Sequence, residues 1–285
     1  MPDAPIVRVT PGPIVDPERE VRMKGVILAG GLGTRLQPLT LVTNKHLLPV
    51  YDRPMIYYPI QTLLDAGIDD VLIVTGGEHA GDFLKLLGNG HKLGLAHLEY
   101  AYQQGEGGIA DALKLAEDFA DGGPIAVALG DNIIEGTIAG AVNAYREQGS
   151  GAKVLLKRVP DPHRFGVARF EGEGDAKRIV EIIEKPEDPP SDYAVTGFYL
   201  YDKQVFDICR TLKPSGRGEL EITDVNNWYL ERGELTHDTL EGWWTDAGTI
   251  PSLYRATRLL AHKDGAADPQ ELSEIDAAPG AGGSA

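Results

Sequence analysis

The sequence predicts an α/β fold in which a mostly parallel sheet is flanked by helices. In the first half of the chain, short runs of β-branched residues alternate with amphipathic stretches, as they do in consecutive strand–helix units of a parallel sheet. In the second half, strand-like runs are joined by turns rich in glycine and proline, which favours a less regular β region. The 285 residues suffice for one large α/β domain or for a domain with an appendage, and either can bury a substantial core.

Strands and helices are predicted in turn between residues 25 and 148. Each predicted strand is a short apolar run, and each predicted helix has apolar residues at i, i+3 and i+4, so that one face is buried. In chain order these elements are strand Gly25–Ala29, helix Met55–Ala66, strand Val71–Thr75, helix Ala80–Leu87, strand Leu98–Ala101, helix Ile109–Phe119, strand Ile125–Leu129 and helix Ile138–Gln148. The turn residues Asp121–Pro124 separate the third helix from the fourth strand.

Four more strands and two closing helices are predicted after residue 150. They are the strands Lys153–Val159, Val167–Phe170, Arg178–Glu184 and Tyr193–Tyr201 and the helices Ile222–Arg232 and Ile250–Ala261. The two ends of the chain differ in composition from the rest. Residues 1–22, rich in proline and acidic residues, are interpreted as an N-terminal extension, and residues 265–285, mostly alanine, glycine, proline and acids, as a flexible acidic tail. The folded domain is therefore predicted to span residues 23–264.

The overall charge and the cysteine content exclude several classes of protein. Lysine and arginine number 27 against 43 aspartates and glutamates, a net charge of −16, which disfavours binding to nucleic acid or to an anionic membrane. The single cysteine, Cys209, can form neither an intrachain disulfide nor a cysteine-based zinc site. No apolar run approaches the roughly 20 residues of a membrane helix, and residues 1–22 lack the pattern of a signal peptide. We therefore expect a cytoplasmic protein.

A glycine-rich loop follows the first predicted strand. It contains Gly30, Gly31 and Gly33, and then Thr34 and the cation Arg35. Glycines let the backbone approach a ligand closely, so that successive N–H groups can point at phosphate oxygens, while an arginine adds a permanently charged fork. The pattern indicates an anion site and favours a polyphosphate. A tight strand-to-helix turn without a ligand is the alternative.

Two better-known phosphate loops do not fit this run. A P-loop needs a lysine directly after its last glycine, and none follows here at that spacing. A dinucleotide-binding fingerprint that starts at Gly31 would need a glycine at position 36, which is Leu36. That fingerprint also needs an acid at the end of the second strand, whereas Asp52 lies in a predicted turn.

The segment around the loop is basic in an acidic chain. Residues 23–60 contain Lys24, Arg35, Lys45 and Arg53 against Asp52, a local net charge of +3. Lys45 lies beside an apolar run that would hold it by packing, which suits a positioned charge. The neighbouring His46 is interpreted as structural. The segment therefore supports an anionic ligand.

Eight motifs occur in order along the chain and resemble one known family. They are Leu28–Arg35, Pro49–Pro59, Leu129–Asn132, Phe165–Val167, Glu184–Pro186, Ala194–Tyr199, Gly218–Asp224 and Trp244–Thr249. Over about residues 23–261 the chain thus resembles the sugar-phosphate nucleotidyltransferases, specifically the short form of the glucose-1-phosphate thymidylyltransferases. The resemblance implies a Rossmann-like mixed sheet in a single nucleotidyltransferase domain with an inserted sugar-binding β region. The nucleotide-binding half would be residues 23–150 and the sugar-binding half residues 151–264.

The resemblance assigns Mg²⁺ to two aspartates. Asp131 follows an apolar run and should lie at the carboxyl end of a strand, where α/β folds place ligands. Asp246 ends a second short apolar run. Two carboxylates, completed by phosphate oxygens and water, suit Mg²⁺. For either aspartate alone, the alternative is a turn or cap residue. Their separation in the sequence does not by itself indicate that the two side chains lie close together.

The resemblance also implies contacts with the nucleotide and with the sugar. The expected nucleotide-binding residues are Gly30, Gly31, Gly33, Thr34, Gln103 and Gly108. The expected sugar-binding residues are Asn132, Gly166, Glu184, Val195 and Thr196. A glutamine such as Gln103 can pair with the imide edge of thymine or uracil but does not sense the thymine methyl group. Without the other motifs, Glu184 and Lys185 would be interpreted as solvated charges at a strand end.

The implied reaction joins dTTP to glucose 1-phosphate, with dTDP-glucose and pyrophosphate as products. Arg35, Lys45 and Lys185 are the expected catalytic cations, because this chemistry depends mainly on positioning and charge neutralisation. Two other functions stay open: a nucleotidyltransferase that uses UTP or another sugar 1-phosphate, and a nucleotide-sugar sensor without turnover. The resemblance further implies a homo-oligomer, either a dimer or a tetramer.

Overall fold

The computed structural model describes residues 22–172 and 178–266. Its strands are β1 (Lys24–Ala29), β2 (Pro49–Val50), β3 (Arg53–Pro54), β4 (Asp70–Gly76), β5 (His97–Gln103), β6 (Ile125–Leu129), β7 (Asn132–Ile134), β8 (Ala152–Arg158), β9 (Gly166–Glu171), β10 (Arg178–Glu184), β11 (Tyr193–Tyr201), β12 (Leu235–Thr239) and β13 (Trp244–Asp246). Its α-helices are α1 (Tyr57–Asp65), α2 (Ala80–Leu87), α3 (Ile109–Leu113), α4 (Glu117–Ala120), α5 (Ala139–Gln148), α6 (Gln204–Thr211), α7 (Ile222–Glu231) and α8 (Ile250–Lys263). The predicted N-terminal extension and acidic tail lie outside the described residues, apart from residues 22, 265 and 266.

Four parallel strands form one half of a nine-stranded sheet. β1 pairs in parallel with β4 and with β6, and β4 pairs in parallel with β5. The carboxyl ends of these strands consequently meet at one edge of the sheet. The glycine-rich loop follows β1, and Asp131 follows β6, so both lie at that edge.

The other half of the sheet is mainly antiparallel and is joined to the first half by β11. The C-terminal part of β11 pairs with β6, and its residue Ala194 pairs with Val167 of β9. β8 runs along the opposite side of β11, and the register of that pairing shifts between Val195 and Tyr199. β9 and β10 form a hairpin, and β12 adds a parallel strand to β8. The predicted mixed α/β architecture is thus confirmed.

Both faces of the sheet are buried beneath helices. In β1, Val26 and Leu28 belong to one core cluster with residues of α3, α6 and α7, whereas Ile27 and Ala29 belong to a second cluster with residues of α1, α2 and α5. Because successive side chains of a strand point to opposite faces, a strand covered on both sides is apolar along its whole length. This explains why β1, β4 and β6 contain continuous apolar runs, whereas β5, at the edge of the sheet, is partly exposed and mixed in composition.

Several local expectations differ from the structure. The predicted helix Ile109–Phe119 is interrupted by a 3₁₀ turn at Lys114–Ala116, although Leu113, Ala116 and Phe119 all remain buried, so the apolar face is preserved. The elements β7, β12, β13 and α6 were not predicted. β7 and β13 have only three residues each and β12 is polar, whereas α6 does carry an apolar face, with Val205, Phe206, Ile208 and Cys209 buried, which the sequence reasoning overlooked. The predicted turn at Asp52 is confirmed, since β2 and β3 form a hairpin around it. Within residues 22–172 and 178–266, no helix is long and apolar enough to cross a membrane.

Candidate active site

A cavity of about 630 Å³ opens at the carboxyl edge of the parallel strands, a volume typical of small-molecule sites. All of the site residues predicted from the sequence line it: Gly30, Gly31, Gly33, Thr34, Arg35, Lys45, Gln103, Gly108, Asp131, Asn132, Gly166, Glu184, Lys185, Val195, Thr196 and Asp246. The fold therefore brings together residues from both halves of the chain.

The glycine-rich loop leaves β1 through two residues in the left-handed region. Gly31 has φ of 89° and Gly33 has φ of 64°, which side chains larger than glycine rarely adopt. The loop ends in a 3₁₀ turn, Thr34–Leu36, whose last residue is fully buried while Arg35 is exposed in the cavity. The Leu32 N–H donates to Oε1 of Glu106 at 2.9 Å, so one of the N–H groups expected to bind phosphate already has an anionic acceptor.

Lys45 and Asp131 form a close ion pair at the centre of the cavity wall. Their Nζ and Oδ2 atoms are 2.5 Å apart, and the two side chains are only 15% and 12% exposed. Burial alone would raise the pKa of Asp131, but the charge of Lys45 holds it well below its usual range. The adjacent His46 is fully buried, and burial together with Lys45 lowers its pKa to about 3. His46 is thus a neutral packing residue at neutral pH.

Asp246 reaches the same place through a second pair of strands. β7 begins directly after Asp131 and pairs antiparallel with β13, which places Asp246 opposite Asn132. The Ala247 N–H then donates to the backbone oxygen of Asp131 at 2.7 Å. Burial raises the pKa of Asp246 to about 6, and Asp131 adds to this while Arg164 opposes it. The strand pairing supplies the proximity that the sequence could not show.

Gly248 marks the space that these charged groups share. A methyl group on its Cα would lie 3.4 Å from Oδ2 of Asp131, 3.4 Å from Oδ2 of Asp246 and 3.5 Å from Nη2 of Arg35. Both carboxylates and the guanidinium therefore face one small volume. Across residues 22–172 and 178–266, no group of three or more histidine, cysteine, aspartate or glutamate side chains could hold a metal ion by itself. The two aspartates can hold a hard divalent cation only if phosphate oxygens or water complete its coordination.

Asn132 is fixed by three hydrogen bonds. Its Nδ2 donates to Oδ1 of Asp131 at 3.0 Å, and its Oδ1 accepts from the Gly197 N–H at 2.9 Å and from Trp244 Nε1 at 2.7 Å. The amide thus ties Asp131 to β11 and β13. Thr196 is similarly committed, since its hydroxyl donates to the Leu155 carbonyl at 2.8 Å. Both residues hold the cavity wall in place with their side chains.

The far end of the cavity is built around Glu184, the last residue of β10. Its Oε2 accepts from the Thr223 hydroxyl at 2.6 Å, and its Oε1 lies 3.3 Å from Nη2 of Arg217 and 3.4 Å from Nζ of Lys185. Lys185 has φ of 45°, a strained backbone for a residue other than glycine. A methyl group on Gly166 would lie 3.5 Å from the Glu184 carboxylate, so this glycine leaves the carboxylate accessible.

Gln103 lies beneath the glycine-rich loop at the other end. A methyl group on Gly30 would be 3.0 Å from Oε1 of Gln103, whose side chain is buried. Its Nε2 donates to Oδ2 of Asp111 at 3.0 Å and to the Gly108 carbonyl at 3.3 Å. In this arrangement Gln103 offers its oxygen to the cavity, and its amide hydrogens are already bonded.

Sequence reasoning missed two arginines of the cavity. Arg164 donates through Nη2 to both oxygens of Asp246 at 3.2 Å, and Arg217 contacts both Glu184 and Glu221. Arg164 directly precedes the motif Phe165–Val167, and Arg217 directly precedes the motif Gly218–Asp224. Their position next to these motifs is the one feature of the sequence that points to them. The contacts of Arg164 with Asp246 and of Arg217 with Glu184 span 82 and 33 residues of the chain, and no local pattern indicates them.

The chain is similar to known proteins over most of its length. The family model described as nucleotidyl transferase matches residues 24–263. A glucose-1-phosphate thymidylyltransferase from an Actinoplanes species is 47% identical over 237 residues, which cover 82% of this chain and 77% of that protein. A protein of the same name from Neisseria gonorrhoeae is 46% identical over 241 residues, which cover 84% of this chain and 82% of that one.

Solved structures are similar over the same range. A provisionally named glucose-1-phosphate thymidylyltransferase from Bacillus anthracis, in complex with a sucrose, is 54% identical with a TM-score of 0.79, covering 84% of this chain and 95% of that one. A UDP-glucose pyrophosphorylase bound to UDP-glucose is 24% identical with a TM-score of 0.73, covering 85% of this chain and 99% of that one, and shows a shared fold. The chain therefore belongs to the nucleotidyl transferase family.

Proposed function

We propose that this protein joins the thymidylyl group of dTTP to glucose 1-phosphate. A phosphate oxygen of glucose 1-phosphate attacks the α-phosphorus of dTTP, a new P–O bond forms, and the bond between the α-phosphorus and the pyrophosphate oxygen breaks. The products are dTDP-glucose and pyrophosphate. The attacking oxygen is already ionised at neutral pH, so the chain does not need to supply a general base. The observation that carries the proposal is the convergence of Arg35, Asp131 and Asp246 on the space beside Gly248, next to the glycine-rich loop.

The nucleotide is assigned to residues 23–150 of the cavity wall. The loop N–H groups and Arg35 lie where β- and γ-phosphates can be bound, and the exposed guanidinium can neutralise the charge that builds up on the leaving pyrophosphate. Gln103 and Gly108 face the base. The Gln103 oxygen can accept from the imide N–H of a pyrimidine without rearrangement of the protein, because its amide hydrogens are held by Asp111.

The sugar phosphate is assigned to residues 151–264. Glu184, beside Gly166, can accept hydrogen bonds from sugar hydroxyls, and the backbone of Val195 and Thr196 borders the same space. Lys185 lies at the mouth of this end, where its ammonium group can pair with the sugar phosphate. Arg217 adds a second cation beside Glu184. Asn132 contributes by holding the wall between the two substrates.

Mg²⁺ is the divalent ion that this site fits, and Asp131 and Asp246 are the residues that would hold it. Two carboxylates with substrate phosphates and water form a suitable set of oxygen ligands for this ion. When bound, it would neutralise phosphate charge and align the reacting groups. Lys45 holds Asp131 in its ionised form, and Ala247 fixes the position of the Asp131 backbone. The chain thus keeps the first carboxylate ready for a cation.

UTP stays open as the alternative nucleotide, because the contact assigned to the base does not exclude it. Gln103 presents an oxygen to the imide edge, which thymine and uracil share, and this contact cannot distinguish the two bases. Discrimination would have to come from a contact with the thymine methyl group. The predicted cytoplasmic location and homo-oligomeric assembly stay predictions that belong to this proposal.

A steady-state panel tests the assignment. Pyrophosphate release is measured with dTTP, UTP, ATP and GTP, each against several sugar 1-phosphates, in the presence and absence of Mg²⁺. We expect the highest kcat/KM with dTTP and glucose 1-phosphate and no release without the metal. Preference for UTP or for another sugar would replace the proposed substrates within the same family. Tight dTTP binding without any release would indicate a sensor instead.

A further inference from the structure

The acidic groups that would hold the metal ion are paired with cations of the protein itself. Lys45 lies 2.5 Å from Asp131, and Arg164 donates to both carboxylate oxygens of Asp246 at 3.2 Å. Arg35 faces the same space from the glycine-rich loop. With Asp161, which pairs with Arg164, three negative charges lie beside three positive charges. A free divalent cation would therefore have to compete with cations of the protein for both carboxylates.

Arg164 differs from Lys45 in how it is held. Its Nη1 donates to Oδ2 of Asp161 at 2.8 Å, and its guanidinium lies 5.1 Å from the centre of the Phe165 ring. Asp161 immediately precedes the short 3₁₀ turn Pro162–Arg164, and Phe165 connects this turn to β9 at Gly166. The guanidinium therefore has a second anionic partner that does not face the metal position. It can lose its contact with Asp246 and still be paired.

There is also space for that movement. A second cavity of about 530 Å³ lies on the other side of Arg164, and Arg164, Phe165, Trp244 and Asp246 line both cavities. The Arg164 side chain thus forms part of a wall between them. A small rotation about its side-chain bonds would move the guanidinium away from Asp246 towards Asp161.

From this arrangement, and relying on the proposed function for the metal ion, we propose that Arg164 is a positioning residue that pairs with Asp246 as long as no nucleotide is bound and thereby excludes a free divalent cation. The ion is admitted only together with the phosphates of the nucleotide, whose oxygens would complete its coordination and whose negative charge would draw the guanidinium and the ammonium groups away from the carboxylates. Asp246 is thereby kept oriented and protected from metal ions that arrive without substrate. Arg164 does not contact the reacting atoms in this scheme, and its effect is exerted through Asp246.

Direct measurement of metal binding without nucleotide tests this proposal. Mn²⁺ serves as the probe, and its binding to the full chain is followed by electron paramagnetic resonance and by calorimetry. We expect weak binding to the unaltered protein and binding at least about tenfold tighter in Arg164→Gln, because a unit positive charge within a few ångströms repels a divalent ion even in a water-like medium. Tenfold corresponds to about 1.4 kcal/mol. Arg164→Lys, which keeps the charge, should remain weak.

A matched control separates the contact from the net charge. Arg158 lines the same second cavity, pairs with Asp192 and is 74% exposed, so Arg158→Gln removes the same charge without touching Asp246. Its Mn²⁺ affinity should stay close to that of the unaltered protein. The double variant Arg164→Gln/Asp246→Asn should lose the gain, which would locate the bound ion at Asp246.

The possible results decide the question clearly. Unchanged, weaker or undetectable Mn²⁺ binding in a folded Arg164→Gln protein overturns the proposal, as does an equal gain in Arg158→Gln. Should Arg164→Gln fail to fold, as judged by circular dichroism, Arg164→Met replaces it as the variant that lacks the charge. It is then compared with Arg164→Lys, which keeps the charge. The measurement does not involve dTTP or glucose 1-phosphate. A gain in Mn²⁺ affinity without pyrophosphate release would therefore reject the proposed function and leave the role of Arg164 standing.

Discussion

Replacement of Lys45 by methionine should destabilise the protein strongly, because it leaves Asp131 charged and buried. Breaking a buried ion pair by removing one partner costs about 3–5 kcal/mol. The hydrogen bond from Asn132 to Asp131 persists in the variant, and both side chains of the pair keep some exposure, so the lower figure applies. A loss of about 3 kcal/mol corresponds to a decrease in Tm of roughly 6–12 °C for a domain of this size. Metal and nucleotide are left out of the assay so that neither substitutes for the missing cation.

The measurement is denaturant unfolding followed by circular dichroism at pH 7.5 with a chelator present. Lys85→Met is the matched control, because Lys85 pairs with Asp82 at 2.8 Å on the surface and is 81% exposed. That substitution should leave the free energy of unfolding nearly unchanged, because an exposed ion pair contributes little. Asp131→Asn and the double variant complete a cycle, in which we expect a coupling of about 2 kcal/mol between Lys45 and Asp131. Equal midpoints for Lys45→Met and Lys85→Met, or a coupling near zero, would refute the reasoning.

Three further predictions follow from the same site. Arg35→Ala should lower kcat for pyrophosphate release by orders of magnitude. The free energy of unfolding should change by about 0.5 kcal/mol or less, because the side chain is exposed. Turnover like that of the unaltered protein would contradict the role of Arg35. Gly248→Ala should fold, since the added methyl group meets its neighbours at 3.4 Å or more. Because this methyl group enters the space that both aspartates face, the variant should not bind Mn²⁺ in the presence of dTTP, and its activity should be lower by about a hundredfold or more. Full activity in this variant would show that the space is not used. The pKa of His46 is about 3 in the folded protein and 6.5 in the unfolded chain, so at a pH between these two values His46 takes up a proton only when the protein unfolds. The free energy of unfolding should therefore fall by about 2 kcal/mol between pH 7 and pH 5. His46→Gln should lack this component in urea titrations at the two pH values, and an unchanged pH dependence would contradict the assignment.

The parts of the fold that could be predicted are those in which burial imposes a pattern on the sequence. β1 and β6 are covered on both faces, so they are apolar throughout, and the loop after β1 needs glycines because Gly31 and Gly33 have positive φ. Asp131 could be placed at a strand end for the same reason. These features are local, and the local sequence is sufficient to reveal them.

The parts that could not be predicted depend on pairing between distant segments. β7 and β13 have three residues each, and their antiparallel pairing brings Asp246 beside Asp131 across more than a hundred positions. Arg164 has no period or composition that marks it, and its importance comes from its contact with Asp246. The resemblance to a family supplied the pairing of the two aspartates and the cations Arg35 and Lys45, but not Arg164, which pairs with Asp246.

The position of β11 limits how the protein can move. This nine-residue strand is hydrogen-bonded to β8 on one side and to β9 and β6 on the other, and the Gly197 N–H within it is bonded to Asn132. A hinge that opened the nucleotide end away from the sugar end would have to break this ladder. Closure around the substrates must therefore come from the surface loops, such as residues 31–37 and 104–108, while the strand keeps the distance between the two binding ends fixed.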